Sequence, residues 1–402
     1  MIINYLSFTK IVSKNMKHKK LIRITTVPLS LQKLIGGQIS FMSDYYEVVA
    51  VSSEGKLLEE VALNEGIRVK GINMTRRITP FKDLIALFRM VRFLKKEKPL
   101  IVHTHTPKAG TIGMIAAYIA CVPIRLHTVG GLPLIETSGL KRKVLDLVEK
   151  ATYACSTMIY PNSSGLYNYI KENRLVPLNK LKVIGDGSSN GIDTDYFSRE
   201  QVQKEHIEAV RLSLGLKPDD FIFVFIGRLV VDKGINELIR AFTGLAERYK
   251  GIKLLLIGPF EPERDALPAE TIKQIETDPA VISVGYRSDI RPYLAMSDVM
   301  VFPSYREGLP NVPMQACAMD VPVIATDIVG SNEVITDNIN GLIVPVKDAD
   351  ALYGAMERIY IDRELRSRLA AGARESIVER YNQLKLWEAI KDEYALQIEK
   401  LK

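Results

Sequence analysis

Apolar runs of strand length punctuate the chain, and stretches with helical spacing follow most of them. Phe221–Gly227 (FIFVFIG) is the clearest run; a strand apolar on both faces belongs in a parallel sheet covered on both sides. The second half repeats strand and helix six times, with strands expected at Phe221–Gly227, Lys253–Ile257, Val281–Val284, Val299–Ser304, Val321–Thr326 and Leu342–Val346. In the first half, strands are expected at Leu21–Val27, Tyr46–Ser53 and within Gly66–Met74. Two more follow, one ending at His103 and His105, the other in MIYPNSS (158–164). A loop carrying Gly36 and Gly37 follows the first strand, and helices are expected at Gln38–Asp44, Phe81–Lys98, Ala109–Ile124 and Leu140–Tyr153. This alternation predicts an α/β chain of two doubly wound, Rossmann-like domains. KVIGDGSSNGIDTDYF (182–197) is dense in Gly, Ser, Asn and Asp, which marks a domain boundary. Long helices close the chain from Ala349 to Lys402 and contain the lone Trp387.

Two stretches bear on membranes. Ala109–Ile124 is the longest uncharged run, but it falls short of the ~20 residues of a bilayer span, contains Gly110 and Gly113, and stops at Pro123. It reads as a buried helix, so membrane contact, if made, is peripheral. Phe81–Lys98 has apolar residues at helical spacing with Lys82, Arg89, Arg92 and Lys95–Lys98 between them. Such a helix either covers a sheet with a solvated outer side or lies on an anionic membrane face. Residues 1–15, interrupted by Lys10 and Lys14, fit neither a secretory signal nor the fold. They are expected to be a loose extension, with the first domain beginning at Met16.

A length of 402 residues exceeds one ordinary core, which supports two domains. Charge divides unevenly: residues 1–200 carry 29 Lys and Arg against 16 Asp and Glu, a net +13, whereas residues 201–402 carry 25 against 31, a net −6. Only the first half is therefore suited to an anionic surface. No recognition motif or aromatic-interleaved basic stripe points to nucleic acid. Cys121, Cys155 and Cys317 are far apart with no C-x-x-C spacing, as in a reducing compartment, and are expected to be buried.

Candidate chemistry gathers at the ends of two strands. Arg228 and Lys233 lie on the connection leaving Phe221–Gly227, with Gly234 just before a helical pattern. Ligands bind at the carboxyl edge of such sheets, where helix N-termini present free N–H groups, so two cations there suit a diphosphate. In isolation they would as readily be solvated loop charges. Glu307, Gly308, Leu309, Pro310, Asn311 and Val312 follow a second buried strand. A carboxylate accepts two hydrogen bonds from paired sugar hydroxyls, while glycine and a helix start offer backbone N–H groups to phosphate. Seven residues separate Glu307 from Gln315, whose amide would reach a ribose from the same side of that helix. Together these parts describe a nucleotide-sugar pocket.

GRLVVDKGINELIRAF and EGLPNVPMQACAMDVPVIATDIVGSNEVI resemble the signature regions of retaining glycosyltransferases of family 4, and the likeness extends over nearly the whole chain. The resemblance implies the GT-B fold: a first domain over residues 16–195 for the acceptor and a second over 196–380 for the nucleotide sugar, facing across a cleft. It also implies a helix over 381–402 that packs back on the first domain. It implies roles for Arg228, Lys233 and Glu307 in catalysis. Gly36 and Gly37 would let backbone approach the diphosphate, and Tyr286–Arg287, with Pro259 on the same sheet edge, would line the base. Gly308, Leu309, Asn311, Val312 and Gln315 complete the donor side. The family has a second acid where this chain has Gln315, which leaves a ribose hydrogen bond without charge.

The family's active-site His, aligned on Thr128, falls at Gly130. Either His127 reaches the site through a shifted loop, or Gly130–Gly131 opens space for a bulkier acceptor; alternation of side chains along a strand favours the second. His103 and His105 share one sheet face, which suggests a metal pair, yet no third ligand follows, and packing is the simpler account. The expected reaction is transfer, with retention, of a hexose or N-acetylhexosamine from a nucleoside-diphosphate sugar (UDP on family grounds) to a lipid-linked acceptor in bacterial capsule or exopolysaccharide synthesis. No metal or other cofactor is needed where two cations stabilise the leaving diphosphate. The protein would work in the cytoplasm, peripherally on the inner face of the cell membrane, through its basic first domain. A nucleotide-sugar epimerase of the same fold and a non-catalytic nucleotide-sugar-binding partner are the alternatives. A nicotinamide dehydrogenase is not, since G-x-G-x-x-G is absent.

Overall fold

Twelve parallel strands form two six-stranded sheets in a computed structural model, which describes residues 19–75, 79–132, 134 and 137–402. The extension expected at residues 1–15, and its boundary at Met16, lie outside the described residues. The first sheet contains β1 (Lys20–Ile24), β2 (Glu47–Ser52), β3 (Arg68–Gly71), β4 (Ile101–Thr104), β5 (Ile124–Val129) and β6 (Met158–Pro161), in the order β3-β2-β1-β4-β5-β6. The second contains β7 (Phe221–Ile226), β8 (Ile252–Ile257), β9 (Val281–Gly285), β10 (Val299–Phe302), β11 (Val323–Thr326) and β12 (Gly341–Val344), in the order β12-β11-β10-β7-β8-β9. Counted from its own first strand, the second sheet repeats the order of the first. In each, the order reverses beside the first strand, so a crevice opens there at the carboxyl edge.

The strands are what their composition demands. Leu254, Leu255, Leu256 and Ile257 of β8 and all of Val299–Phe302 in β10 are buried, because helices cover both faces. Phe221–Ile226 pairs in register with Ile252–Ile257.

Two compact units result, one comprising the chain to Asn190 together with Leu384–Lys402, the other Gly191–Gln383. In the first, helix Gln383–Glu399 buries Leu386, Ile390, Tyr394 and Ile398, a four-residue repeat that joins Leu21, Ile101 and Leu126 of the sheet in one core cluster. Its buried Glu393 accepts hydrogen bonds from Tyr160 Oη at 3.0 Å and Gln397 Nε2 at 2.8 Å, and pairs with Lys182. A buried carboxylate persists only when so satisfied. In the second unit, Ile192 N donates to Tyr381 O (2.8 Å) and Gln383 N to Ile192 O (2.9 Å), so the two ends of that unit are paired backbone to backbone.

Three sequence expectations are corrected. The stretch between β1 and Gly36 is not all loop: Pro28–Ile35 is a helix, started by proline at its first position and fastened by buried Leu31 and Ile35 one turn apart. The helix expected over Ala109–Ile124 runs Pro107–Ile119; Ile124 already belongs to β5, since Pro123 cannot continue a helix. Of the cysteines expected inside, only Cys317 is buried; Cys155 is half-buried, and Cys121 is exposed at the left-handed turn (φ 55°) that leaves this helix.

Candidate active site

The crevice beside β7 gathers the charged residues of the second unit. After β7 the chain makes a short 3₁₀ turn, Val231–Lys233, and enters helix Ile235–Arg248 through Gly234 in the left-handed conformation (φ 70°). A Cβ at Gly234 would lie 2.1 Å from the carbonyl oxygen of Pro303 at the end of β10, so only glycine lets the two connections touch. Tyr305 N donates to Asp232 O at 2.9 Å across the same seam. Closing it places Lys233 Nζ over the end of β10, in an ion pair with Glu307 Oε1 and 3.4 Å from Ser304 Oγ. Both side chains of the pair are about 15% exposed: partly dry, yet reachable from solvent.

Arg228 leaves β7 on the other side. Its Nη1 lies 3.4 Å from Glu261 Oε2 beyond β8, and Leu229 N donates to Pro259 O at 2.9 Å. The structure therefore unites Lys233 with Glu307 and sets Arg228 apart from them, on the β8 side. Pro259 and Tyr286 are exposed at the ends of β8 and β9. Arg287 is oriented by Tyr293, to whose hydroxyl its Nε donates at 2.9 Å.

Below Glu307, Gly308 O would be 2.0 Å from a Cβ on Gly330 (φ 88°), and Leu309 is buried, so this loop is clamped from beneath. Helix Asn311–Ala318 follows. Its only incompletely buried residues are Asn311, Val312 and Gln315, and the i, i+4 pair Asn311 and Gln315 shares the open face.

The first unit treats its predicted site residues differently. Gly37 (φ 73°) lies under Trp387, whose ring would be 2.8 Å from a Cβ. Its N–H donates to Glu65 Oε1 at 2.7 Å, and Ser40 N donates to Glu65 Oε2 at 3.0 Å. A Cβ on Gly36 would lie 2.4 Å from Gln32 O. Local packing accounts for both glycines, and Glu65 already accepts from the amide of Gly37, one of the two expected to let backbone approach a diphosphate.

His127 is 3% exposed, with Nδ1 2.7 Å from Thr104 Oγ1 and its ring against Gly110. Burial lowers its pKa to about 4. As placed, it is a neutral packing residue beneath helix Pro107–Ile119, not a group offered to a sugar. Gly130 is open: the atoms nearest to a Cβ at this position would be Asn162 Nδ2 at 3.7 Å and Ser189 Oγ at 3.9 Å.

His103 and His105 do lie together, with ring centroids 4.1 Å apart. His103 meets Tyr394 Oη at 2.6 Å and Thr128 Oγ1 at 2.8 Å, while His105 Nε2 accepts from Arg23 Nε at 2.9 Å. The fully buried Arg23 also donates to Gln38, whose amide donates to Ser189 O and Asn190 Oδ1 at 3.1 Å each. Burial and the Arg23 charge hold both imidazoles well below their ordinary pKa. This network, and the contacts of Ser304, Glu261 and Asn162, had no motif to signal them. Each depends on residues far apart in the chain.

Comparison with known proteins gives the family and the fold. Residues 43–187 match the family model of a glycosyl transferase 4-like domain, and residues 206–376 that of glycosyl transferases group 1. The chain is 36% identical over 380 residues to the capsular polysaccharide biosynthesis glycosyltransferase CapM of Staphylococcus aureus, covering 94% of this chain and 97% of that one. It is 31% identical over 328 residues to the UDP-Gal:alpha-D-GlcNAc-diphosphoundecaprenol alpha-1,3-galactosyltransferase of Escherichia coli, covering 80% and 81%. Among solved structures, Anabaena Alr3699/HepE in complex with UDP-glucose superposes with a TM-score of 0.77 at 18% identity, covering 94% of this chain and all of that one. WaaG, a glycosyltransferase involved in lipopolysaccharide biosynthesis, superposes at 0.70 and 14% identity, covering 92% and 98%. These structural likenesses establish the GT-B fold.

Proposed function

The chain belongs to the group 1 glycosyltransferases with a glycosyl transferase 4-like first domain, and we propose that it is a retaining, family 4 hexosyltransferase. Its donor is a UDP-hexose or UDP-N-acetylhexosamine, and its acceptor is a lipid-linked sugar in surface polysaccharide synthesis. The observation that carries this reading is the Lys233–Glu307 pair at the crevice of the second sheet. The two charges satisfy each other in a partly dry site. A sugar diphosphate separates their tasks: the ammonium meets the diphosphate, and the carboxylate accepts from two sugar hydroxyls. Named relatives support the acceptor class, since one acts on an undecaprenol-linked sugar and another serves capsule synthesis.

In the step itself, the bond between the anomeric carbon and the diphosphate oxygen breaks as the acceptor oxygen forms its bond on the same face. The acceptor's proton passes to the departing phosphate oxygen. Lys233, joined by Arg228 once it leaves Glu261, stabilises the charge on that diphosphate, so the reaction needs no metal of its own. Gln315 accepts from or donates to a ribose hydroxyl.

Purified protein is incubated with a panel of nucleotide sugars, with and without lipid-linked acceptor, and diphosphate release is followed with the anomeric configuration of the product. Acceptor-dependent release of UDP with an α product from an α donor is expected, unchanged by a chelator. Donor binding with no acceptor-dependent release would instead favour the non-catalytic partner or the epimerase.

A further inference from the structure

The seam between the connections that follow β7 and β10 carries a second ion pair beside Lys233 and Glu307. Arg306 Nε and Nη2 both donate to Asp232 Oδ2, at 3.1 and 2.6 Å. Asp232 immediately precedes Lys233, and Arg306 immediately precedes Glu307. Two neighbouring residues of one connection are therefore bonded to two neighbouring residues of the other. The pairing is acid to base on one rung and base to acid on the next.

This order of charges fixes the register of the seam. Sliding one connection by a single residue would set Asp232 against Glu307, or Lys233 against Arg306, like charge to like in both cases. Other contacts follow the same register. Tyr305 N donates to Asp232 O at 2.9 Å, and the buried Ser304 Oγ lies 3.1 Å from Arg306 O and 3.4 Å from Asp232 O. Each connection is also tied to a neighbour. Asp232 N donates to Asp265 Oδ2 at 2.8 Å, and Tyr305 Oη donates to Glu237 Oε2, on helix Ile235–Arg248, at 2.7 Å.

The two rungs differ in what a ligand asks of them. A sugar diphosphate parts Lys233 from Glu307, because the ammonium and the carboxylate then turn to different portions of it. A seam held by that rung alone would lose its side-chain tie just when both groups need fixed positions. Asp232 and Arg306 are bonded to each other, so their rung persists while the first one opens. A guanidinium that donates twice holds orientation as well as distance. Rates in a preorganised site respond to misplacements of about 1 Å, which gives leverage to a brace one residue away from each working group.

We propose that Asp232 and Arg306 are the positioning residues of the donor site. Their ion pair holds the two connections in register while Lys233 and Glu307 part around the ligand, and neither of them touches it. The proposal rests on the transferase reading for the identity of that ligand; the brace itself can be measured without it.

Amide hydrogen exchange of Tyr305, whose N–H is bonded to Asp232 across the seam, reports the brace with no turnover required. Lys233→Ala removes the first rung and should leave this amide protected as in the parent. Adding Arg306→Gln should speed its exchange by about 3–10-fold, the scale of one well-oriented, half-exposed ion pair, with β7 and β8 unchanged. Arg306 is 52% exposed, so this substitution should leave the fold intact; Asp232→Asn is the second route to the same loss.

In turnover, Arg306→Gln and Asp232→Asn should each lower kcat by about 3–10-fold with little change in donor KM, because misplacement is felt most where charge develops. The double variant should cost no more than the costlier single one, since one pair is lost once. Arg306→Lys, which returns the charge without the fork, should recover part of kcat. A lowered thermal melt with kcat unchanged overturns the proposal by leaving the pair a purely structural role. So do single losses that multiply in the double variant, or a Tyr305 amide that Lys233→Ala alone deprotects or that Arg306→Gln does not affect. If the transferase reading fails instead, the parent releases no diphosphate with any acceptor, and the exchange rates decide the brace on their own.

Discussion

The two units share one strand order and differ in what they bury. In the second, a single apolar cluster runs from Ile192 to Tyr381, and no arginine or histidine is buried among the described residues. Its charges stand at the sheet's carboxyl edge, Lys233 against Glu307 and Arg228 against Glu261. In the first, the core is divided among three clusters, and Arg23, His103, His105, His127 and Glu393 lie inside it. Those groups tie the returning last helix to the sheet, through His103 to Tyr394 and Glu393 to Tyr160. A parallel sheet needs apolar cover, but it does not need an apolar interior if every buried polar group finds a partner. The second unit pairs its charges with one another at the crevice, whereas the first uses much of its polarity to hold itself together and carries an apolar and basic surface outside.

That contrast can be broken at the second unit first. Lys233→Ala should lower turnover by roughly 10²–10³, the usual cost of removing a preorganised charge stabiliser, with an unchanged thermal melt. A loss below tenfold in a folded protein would sink the assignment of this crevice to the donor.

Acid should separate the units next. His103, His105 and His127 are held neutral in the fold, so the unfolded chain binds protons that the folded one refuses. The stability that these rings contribute is complete above the unfolded pKa near 6.5 and is lost as pH falls toward 4, opposed by Glu149 of the same unit, whose carboxyl burial pushes up to about 7. For His127 alone the loss is roughly 2–4 kcal/mol. The lone tryptophan, Trp387, belongs to the first unit and reports it in urea titrations at pH 7 and pH 4.5. A midpoint that shifts between the two pH values by the same amount in the parent and in His127→Gln would contradict the buried, neutral state of that ring.

Glu307→Gln should reduce kcat/KM for the donor by about 10–100-fold, since the amide keeps one acceptor and loses the charge. Donor kinetics equal to the parent's would remove Glu307 from the sugar. The smallest effect is expected at the ribose: Gln315→Ala should weaken donor binding by about 3–10-fold, one neutral hydrogen bond, measured by calorimetry with UDP. A loss as large as that at Lys233 would mean that Gln315 supports the helix, not the ligand.

Much of this molecule was legible along the chain because its strands are apolar on both faces and its turns are glycine-marked. Phe221–Gly227 and Val299–Ser304 announce themselves as buried strands, and a doubly wound sheet puts their ends at a ligand edge by topology alone. Lys233, Glu307 and Gln315 could be proposed from spacing because each follows closely on a recognisable element. Helix Pro28–Ile35 escaped notice because it is short, with only Leu31 and Ile35 to betray its period.

Tertiary structure alone decided the rest. Linear spacing has no means to show that Arg228 turns to Glu261 while Lys233 turns to Glu307, for the partners are 33 and 74 residues away. Nor does it show that Glu65 caps the amides of Gly37 and Ser40, or that His127 faces Gly110 inside the fold. Exposure is the clearest case: Phe81 and Met90 are both apolar positions of one amphipathic helix, and only packing determines that one is 85% exposed and the other fully buried. Periodicity determines which residues share a face; what that face meets is set by long-range contacts, whose energies depend on neighbours that the local sequence does not contain.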